Sequence, residues 1–165
     1  MKSDFENILL RPEQPEDAGV LFEIYATTRQ DEMDLTGWDA GRRTIFLDMQ
    51  FKAMCQGYRA MFPTAQFSIV LHGMKTIGRM VVDRRDREIH VVDLALLPEF
   101  RSRKIGTFLI QRICHEATQA NKSVTLSVFK NSRAIHWYHR LGFSTMDGSG
   151  FYEKMEWRPS PVRAL

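Results

Sequence analysis

The stretch that decides the fold reads EIHVVDLALLPEFRSRKIGTFL, from Glu88 to Leu109. Its first part, Glu88–Leu97, is apolar on both alternating faces, which is typical of a strand that is covered on each side. Those faces comprise Ile89, Val91, Ala95 and Leu97 on one side and Val92, Leu94 and Leu96 on the other. Pro98 follows, and Lys104–Asn121 then carries apolar residues at helical spacing. We therefore predict a buried strand that turns through a basic segment into an amphipathic helix.

The turn between this strand and this helix concentrates positive charge. Three of the four residues from Arg101 to Lys104 are cations, and Gly106 follows them in the predicted first helical turn. The N–H groups at a helix N-terminus are unpaired, and the helix dipole favours an anion there. Glycine also lets a ligand approach the backbone closely. The turn therefore predicts a phosphate or pyrophosphate site, with a solvated basic turn as the alternative.

The composition places the chain among globular proteins. It has 165 residues, of which 44% are hydrophobic and 26% are charged, and this excludes collagen, a coiled-coil rod and a disulfide scaffold. Residues 1–100 carry 12 Lys and Arg against 16 Asp and Glu, whereas residues 101–165 carry 11 against 4. A basic half indicates an anionic partner. A nucleic-acid-binding module is one alternative, although the basic half lacks the interleaved aromatic residues of such surfaces.

The ends and the cysteines predict a cytoplasmic protein. No stretch reaches the roughly 20 apolar residues that span a bilayer, so we expect no membrane segment. The first six residues lack the apolar core of a signal peptide. Cys55 and Cys114 are predicted to be buried and reduced. No metal is expected, because His136 and His139 have no adjacent third ligand.

The remaining pattern predicts the element order β-α-α-β-β-β-α-β-α-β-β in one domain over residues 1–165, with residues 158–165 as a frayed tail. The predicted strands are Asn7–Arg11, Gln66–Leu71, Lys75–Asp83, Glu88–Leu97, Ser123–Phe129, Phe143–Met146 and Phe151–Trp157. The first predicted helix begins at Pro15. The other three span Ala40–Met61, Lys104–Asn121 and Ser132–Leu141, and Gly142 ends the last of them. The predicted apolar stripe of the Ala40–Met61 helix is Ile45, Phe46, Met49, Lys52-Ala53, Gln56 and Ala60.

Two motifs give the chain a family resemblance. The segment Leu94–Leu109 resembles the acetyl-coenzyme A motif of the GNAT superfamily of N-acetyltransferases, whose pattern is Gln/Arg-x-x-Gly-x-Gly/Ala. Here the pattern reads Arg101-x-x-Lys104-x-Gly106, with Lys104 where the first glycine is usual. A second motif follows at family spacing, and it reads Asn131-x-x-Ala134-x-x-Trp137-Tyr138-x-x-Leu141-Gly142-Phe143.

The resemblance implies a fold and an activity. The fold is α/β, with a mixed, mostly antiparallel central sheet, a splayed parallel strand pair and helices on both faces. The implied activity moves the acetyl group of acetyl-coenzyme A to a primary amine of a small molecule or peptide, by direct attack and without a metal. A catalytically silent coenzyme A-binding protein of the same fold is the alternative, and a homodimer is left open.

The resemblance also implies site residues. Those for the cofactor are Leu94, Leu96 and Leu97 for pantetheine, Arg101, Ser102, Arg103, Lys104, Ile105, Gly106 and Thr107 for the pyrophosphate, and Asn131 for the pantetheine arm. Tyr138 would lie near the thioester sulfur and act as the general acid, unless its ring only packs.

The base and the acceptor site are less defined by the motifs. Asp93 is the one carboxylate in the apolar strand, and burial should raise its pKa toward a useful value. The alternatives are an Asp93 satisfied by an arginine or by backbone, His90 on the opposite face, or a chain of waters. The polar connector after the first helix holds four acids and no base between residues 31 and 39, which predicts a cationic acceptor near Glu32, Asp34 and Trp38.

Overall fold

The computed structural model describes residues 4–148 and 150–161. Its strands are β1 (Ile8–Pro12), β2 (Gln66–His72), β3 (Lys75–Arg84), β4 (Glu88–Leu96), β5 (Ser123–Phe129), β6 (Ser144–Asp147) and β7 (Tyr152–Trp157). Its helices are α1 (Ala18–Thr28), α2 (Gln30–Asp34), α3 (Ala40–Met61), α4 (Ile105–Ala120) and α5 (Ala134–Arg140). Short 3-10 turns lie at Asp4–Asn7, Pro15–Asp17 and Pro98–Phe100.

The seven strands form a mixed sheet in the order β1-β2-β3-β4-β5-β7-β6. Strands β1 and β2, β5 and β7, and β6 and β7 pair antiparallel, whereas β4 and β5 pair parallel. The register of the parallel pair covers Glu88–Val91 and Ser123–Leu126, so it uses only the first part of β4. The predicted α/β class and the mostly antiparallel sheet with one parallel pair are confirmed.

The chain divides into two compact units. The first comprises the residues up to Val81 together with Asp93–Ile105, and the second comprises Val82–Val92 together with the residues from Gly106. The single domain expected from the sequence remains a prediction. Ser149 of the expected last turn and residues 162–165 of the expected tail lie outside the described residues. No described helix has both the length and the apolar character needed to cross a membrane.

The core of the first unit joins α1 to α3. The ring of Phe51 lies 5.8 Å from that of Phe22 and 5.5 Å from that of Tyr25, and Leu21 and Ile24 of α1 are buried as the spacing predicts. The apolar stripe predicted for α3 was wrong, however. Leu47 and Phe51 are the buried residues of this helix, whereas Ile45 and Met49 are exposed.

The second unit is built on α4. Of the apolar face predicted for this helix, Ile105, Leu109, Ile113 and Ala117 are buried, whereas Phe108 is half-buried. Its end is fixed by Asn121 in a left-handed conformation, with φ of 52°. Gly142, with φ of 97°, ends α5 as predicted.

Three further expectations need correction. Residues 30–39 are not all connector, because α2 forms at Gln30–Asp34. Only one face of β4 is buried as expected, at Ile89 and Val91, whereas Val92–Leu96 is only half-buried. The second half of β4 is therefore more exposed than its apolar side chains suggest. Cys55 and Cys114 are both free thiols, but only Cys114 is buried.

Candidate functional site

The loop before α4 has the backbone of an anion cradle. Ser102 and Lys104 adopt left-handed conformations, with φ of 58° and 62°. Residues 101–104 are all exposed, and α4 begins directly after them at Ile105, which is buried and anchors the helix start. Alternating backbone conformations of this kind turn N–H groups toward one concavity, and the first N–H groups of the helix have no partner within it.

Lys104 explains why glycine is usual at its position. A left-handed backbone costs an L-residue roughly 1–2 kcal/mol, whereas glycine adopts it freely. Here lysine takes the same conformation, with φ of 62°. The loop therefore keeps the geometry that a glycine would give and adds a cation.

The other two cations of the loop contact the protein. Arg101 Nε donates to Leu96 O at 2.9 Å, and its Nη2 donates to Thr27 Oγ1 at 3.1 Å. The guanidinium of Arg103 lies over the ring of Phe100, 5.2 Å from its centroid. Arg101 thus ties the loop to the end of β4 and to α1.

The end of β4 is approached closely by Gly78 of β3. A Cβ at Gly78 would lie 2.4 Å from Ala95 O and 2.6 Å from Leu96 Cδ2, so no side chain fits there. Leu97 N–H donates to Ile77 O at 2.8 Å, and Leu97 O accepts a hydrogen bond from Phe100 N–H at 3.0 Å. Both backbone groups of Leu97 therefore have partners in the protein. Sequence reasoning missed Gly78, although a glycine inside a strand pattern signals a close backbone approach.

Between the two hydrogen bonds that close the pair, β4 spans one residue more than its neighbour β3. Arg85 N–H donates to Glu88 O at one end of the pair, and Leu97 N–H donates to Ile77 O at the other. Eight positions separate Ile77 from Arg85, whereas nine separate Glu88 from Leu97. An antiparallel pair accommodates the extra residue as a β-bulge, which re-aims side chains. This is why strict alternation along Glu88–Leu97 fails to predict the burial of its second half.

Asp93 lies in this part of β4. Although the residue keeps some exposed surface, burial of its carboxyl raises its pKa to about 6. The positive charge of Arg79 and a hydrogen bond from the N–H of Leu94 oppose that rise. Asp93 is therefore ionised in neutral solution, and its pKa lies close enough to neutral pH for the carboxylate to take up a proton.

His90 lies in the second unit. Its Nδ1 is 2.9 Å from Thr125 Oγ1 on β5, and burial lowers its pKa. Its imidazole is thus kept neutral beside β5.

The second unit packs α5 onto the start of α4. Trp137 Nε1 donates to Thr107 Oγ1 at 3.1 Å, and a Cβ at Gly106 would meet the Trp137 ring at 3.4 Å. Tyr138 is half-buried, with its ring 4.6 Å from Trp137 and 5.4 Å from Phe143. Gly106 and Thr107 are therefore held by the second motif.

The turn before α5 carries Asn131. This residue is exposed, and Ser132 N–H beside it donates to Phe129 O at 2.8 Å. The N–H of Ala134 donates to Ser132 Oγ at 3.1 Å. The turn therefore presents Asn131 on the surface just before the start of α5.

The acids predicted to receive the acceptor are paired. Glu32 forms an ion pair with Arg29 at 2.7 Å, and Asp34 forms one with Arg43 at 2.8 Å. The hydrogen bond from Arg43 lowers the pKa of Asp34. Arg29, between α1 and α2, and Arg43 of α3 therefore offset the charge of two of the four acids between residues 31 and 39.

Trp38 is also covered by an arginine. The guanidinium of Arg42 lies 4.5 Å from the Trp38 ring centroid, and Arg43 Nε donates to Trp38 O at 2.9 Å. Phe46 contacts the same indole edge-on at 5.4 Å. The ring thus has a cation on one face and an aromatic neighbour.

Comparison with known proteins agrees with the two motifs. The acetyltransferase (GNAT) domain family matches residues 63–145, a range that contains both motifs. No curated protein matches the sequence significantly. Within the described residues, no group of three or more His, Cys, Asp or Glu side chains could hold a metal ion.

Solved structures share the fold. PaiA N-acetyltransferase from Thermoplasma acidophilum, in complex with coenzyme A, has a TM-score of 0.67 and 19% identity, and the match covers 92% of this chain and 99% of that one. An acetyltransferase from Thermus thermophilus has a TM-score of 0.65 and 14% identity, covering 93% and 97%. A GNAT acetyltransferase from Elizabethkingia anophelis with acetyl-CoA bound has a TM-score of 0.60 and 12% identity, covering 93% and 99%.

Proposed function

The chain belongs to the GNAT family of acetyltransferases, and from this we propose that it transfers the acetyl group of acetyl-coenzyme A to a primary amine. The observation that carries the proposal is the loop before α4. Its left-handed residues Ser102 and Lys104 and the helix start behind them form an anion cradle with an exposed surface. A pyrophosphate is the anion that such a cradle suits.

The cofactor contacts divide between backbone and side chains. Residues 101–107 would hold the pyrophosphate, chiefly through N–H groups. Leu94 and Leu96 would pair with pantetheine through their remaining backbone groups, since Leu94 N–H donates to Asp93 and Leu96 O accepts from Arg101. Both backbone groups of Leu97 already have partners in the protein. Asn131, exposed before α5, would hold the pantetheine arm.

The proposed reaction is direct attack of the amine on the thioester. The amine nitrogen forms a bond to the carbonyl carbon, the carbon–sulfur bond breaks, and Asp93 takes the proton that the nitrogen loses. Tyr138 donates a proton to the departing sulfur and is later reprotonated from solvent. Strand N–H groups would stabilise the oxyanion that forms between the two steps.

The pKa of Asp93 allows its carboxylate to accept the amine proton while the nitrogen–carbon bond forms. A free alkylammonium has a pKa of about 10, and burial raises the pKa of Asp93 to about 6. Asp93 is too weak a base to deprotonate a resting ammonium efficiently. Nitrogen becomes far more acidic as its bond to carbon forms, and Asp93 can take the proton at that stage.

The acceptor is proposed to be a small-molecule or peptide amine. Glu32, Asp34 and Trp38 remain candidate acceptor contacts. Because Arg29 pairs with Glu32 and Arg43 pairs with Asp34, the two acids attract a cation less strongly than the sequence implies. Replacing Glu32 by Gln should then change the KM for a cationic amine by a few-fold at most.

The test is a thiol-release assay with a panel of amines and peptide N-termini. We expect release with at least one class, and a loss of about 100-fold or more in kcat for Tyr138→Phe with coenzyme A affinity retained. Coenzyme A binding without release from any amine would instead support the silent binding protein. Since the two cysteines are free thiols, we expect the reaction to run in the reducing cytoplasm.

A further inference from the structure

Arg79 is a buried charge of the first unit. It lies in the middle of β3 with a side chain that is 3% exposed, and its neighbours Ile77 and Val81 are completely buried. An arginine cannot shed its charge in a protein, so burying it requires compensating negative charge nearby.

Glu13 supplies part of that compensation. Its Oε2 lies 3.4 Å from Arg79 Nη2, at ion-pair distance but outside hydrogen-bond geometry. Its Oε1 accepts from Arg59 Nη2 at 3.1 Å, so one carboxylate serves two guanidiniums. The N–H of Glu13 donates to Phe67 O at 3.0 Å, which fixes the residue beside β2.

The remaining contacts of Arg79 are not ionic. Nη1 donates to Cys55 Sγ at 3.7 Å, and the guanidinium lies 5.5 Å from the centroid of the Phe67 ring. Nε and Nη2 have no hydrogen-bond partner among residues 4–148 and 150–161. Without another anion, the cluster of Arg79, Arg59 and Glu13 keeps one uncompensated positive charge.

Asp93 lies on β4, the strand next to β3, and the positive charge of Arg79 lowers the pKa of its carboxyl. When it is ionised, the charges of Arg79, Arg59, Glu13 and Asp93 cancel. We propose that Arg79 is a positioning residue, a buried counter-charge held by Glu13 and α3 that keeps the Asp93 carboxylate ionised and ready to accept the amine proton. This role rests on the function proposed above for Asp93.

The charged and titratable groups around Arg79 make the proposal testable in both directions. They are Glu13 before α1, Cys55 and Arg59 on α3, and Asp93 on β4. Removing Arg79 should make Asp93 harder to ionise. Removing the charge of Glu13 should make Asp93 easier to ionise, because Arg79 then has no other anion to offset it.

The experiment is a carbon-13 NMR titration of the aspartate carboxyls in the chain without ligand, with the Asp93 signal assigned from Asp93→Asn. We expect Arg79→Met to raise the Asp93 midpoint by about one pH unit or more, and Glu13→Gln to lower it by a smaller amount. Arg79→Lys keeps the charge and should leave the midpoint near that of the unaltered chain. A midpoint that stays unmoved, or moves the same way in both variants, would overturn the proposal.

Two further measurements keep the result decisive. If Arg79→Met does not fold, Glu13→Gln decides alone, since a lowered midpoint supports the proposal and an unchanged or raised one refutes it. The acid limb of kcat/KM should follow the NMR midpoints. If the midpoints separate while that limb stays in place, or while no amine is acetylated, the coupling of Arg79 to Asp93 holds and the function proposed for Asp93 fails.

Discussion

Replacing Asp93 by Asn tests whether the chain gives up stability for a buried base. The pKa of Asp93 is about 6 in the folded protein, against 3.8 for an ordinary aspartate. The raised pKa means that the folded state holds the proton more tightly than the unfolded state. The favourable contribution is therefore complete below pH 3.8 and lost as the pH rises through about 6.

The size of the effect follows from the shift. A difference of about two pKa units corresponds to about 3 kcal/mol. The stability of Asp93→Asn, relative to the unaltered chain, should thus rise by about 3 kcal/mol between pH 3.5 and pH 7.5. At neutral pH, kcat/KM of Asp93→Asn should be about 100-fold or more below that of the unaltered chain, because the amide cannot accept the proton.

Urea unfolding at a series of pH values measures the stability difference, and equal m-values in the two proteins ensure that it is comparable. Asp17→Asn is a control of opposite sign. Hydrogen bonds from Arg11 at 2.7 and 2.8 Å lower the pKa of Asp17, so its removal should cost stability at neutral pH and cost less in acid. A stability difference for Asp93→Asn that does not change with pH would refute the reasoning.

Four other substitutions test the loop before α4, the first turn of α4 and the close approach of β3 to the end of β4. Lys104→Gly should raise the unfolding free energy by up to about 1 kcal/mol through relief of its left-handed conformation, whereas Lys104→Ala should not; both should weaken coenzyme A binding similarly in titration calorimetry. Gly106→Ala fits beside Trp137 at 3.4 Å and should gain up to about 1 kcal/mol of helix stability, yet it should weaken coenzyme A binding if the pyrophosphate contacts the backbone there. Gly78→Ala should lower the unfolding free energy by about 1–3 kcal/mol, because its Cβ would lie 2.4 Å from Ala95 O; an unchanged melting temperature would contradict the close approach of the strands.

Local patterns predict those parts of the fold that local physics decides. The spacing of Leu109, Ile113 and Ala117 identifies the buried face of α4, and Gly142 marks the end of α5 because its backbone is left-handed there. The basic turn before α4 is likewise readable, since three cations next to a helix start need no distant partner to attract an anion.

Tertiary packing decides the rest. The stripe through Ile45 and Met49 is as apolar as the one that is buried, but Phe51 faces α1, where Phe22 and Tyr25 lie. The burial of an arginine within β3 also runs against what its residue type predicts. At the candidate acceptor site, the pairing of Asp34 with Arg43 depends on where α3 begins, and that of Glu32 with Arg29 depends on the formation of α2.

The extra residue in β4 is accompanied by a change in the burial pattern of the strand, which stops alternating after Val91. Only a partner strand reveals such an insertion, since each residue of β4 is compatible with a regular strand when it is taken alone. For this reason the sequence of Glu88–Leu97 alone does not predict which face of the sheet Asp93 lies on.

The loop before α4 bears on how freely this protein can change its sequence. A cradle made from backbone N–H groups sets conditions on dihedral angles at Ser102 and Lys104 and few on side-chain identity. A saturation library at these two positions, selected for coenzyme A binding, should therefore be enriched in glycine and asparagine and depleted in β-branched residues. The same latitude fits the 12–19% identity at which the fold recurs among solved structures. An anion site of this kind depends on backbone conformation, so the amino acids that form it can be substituted while the conformation is kept.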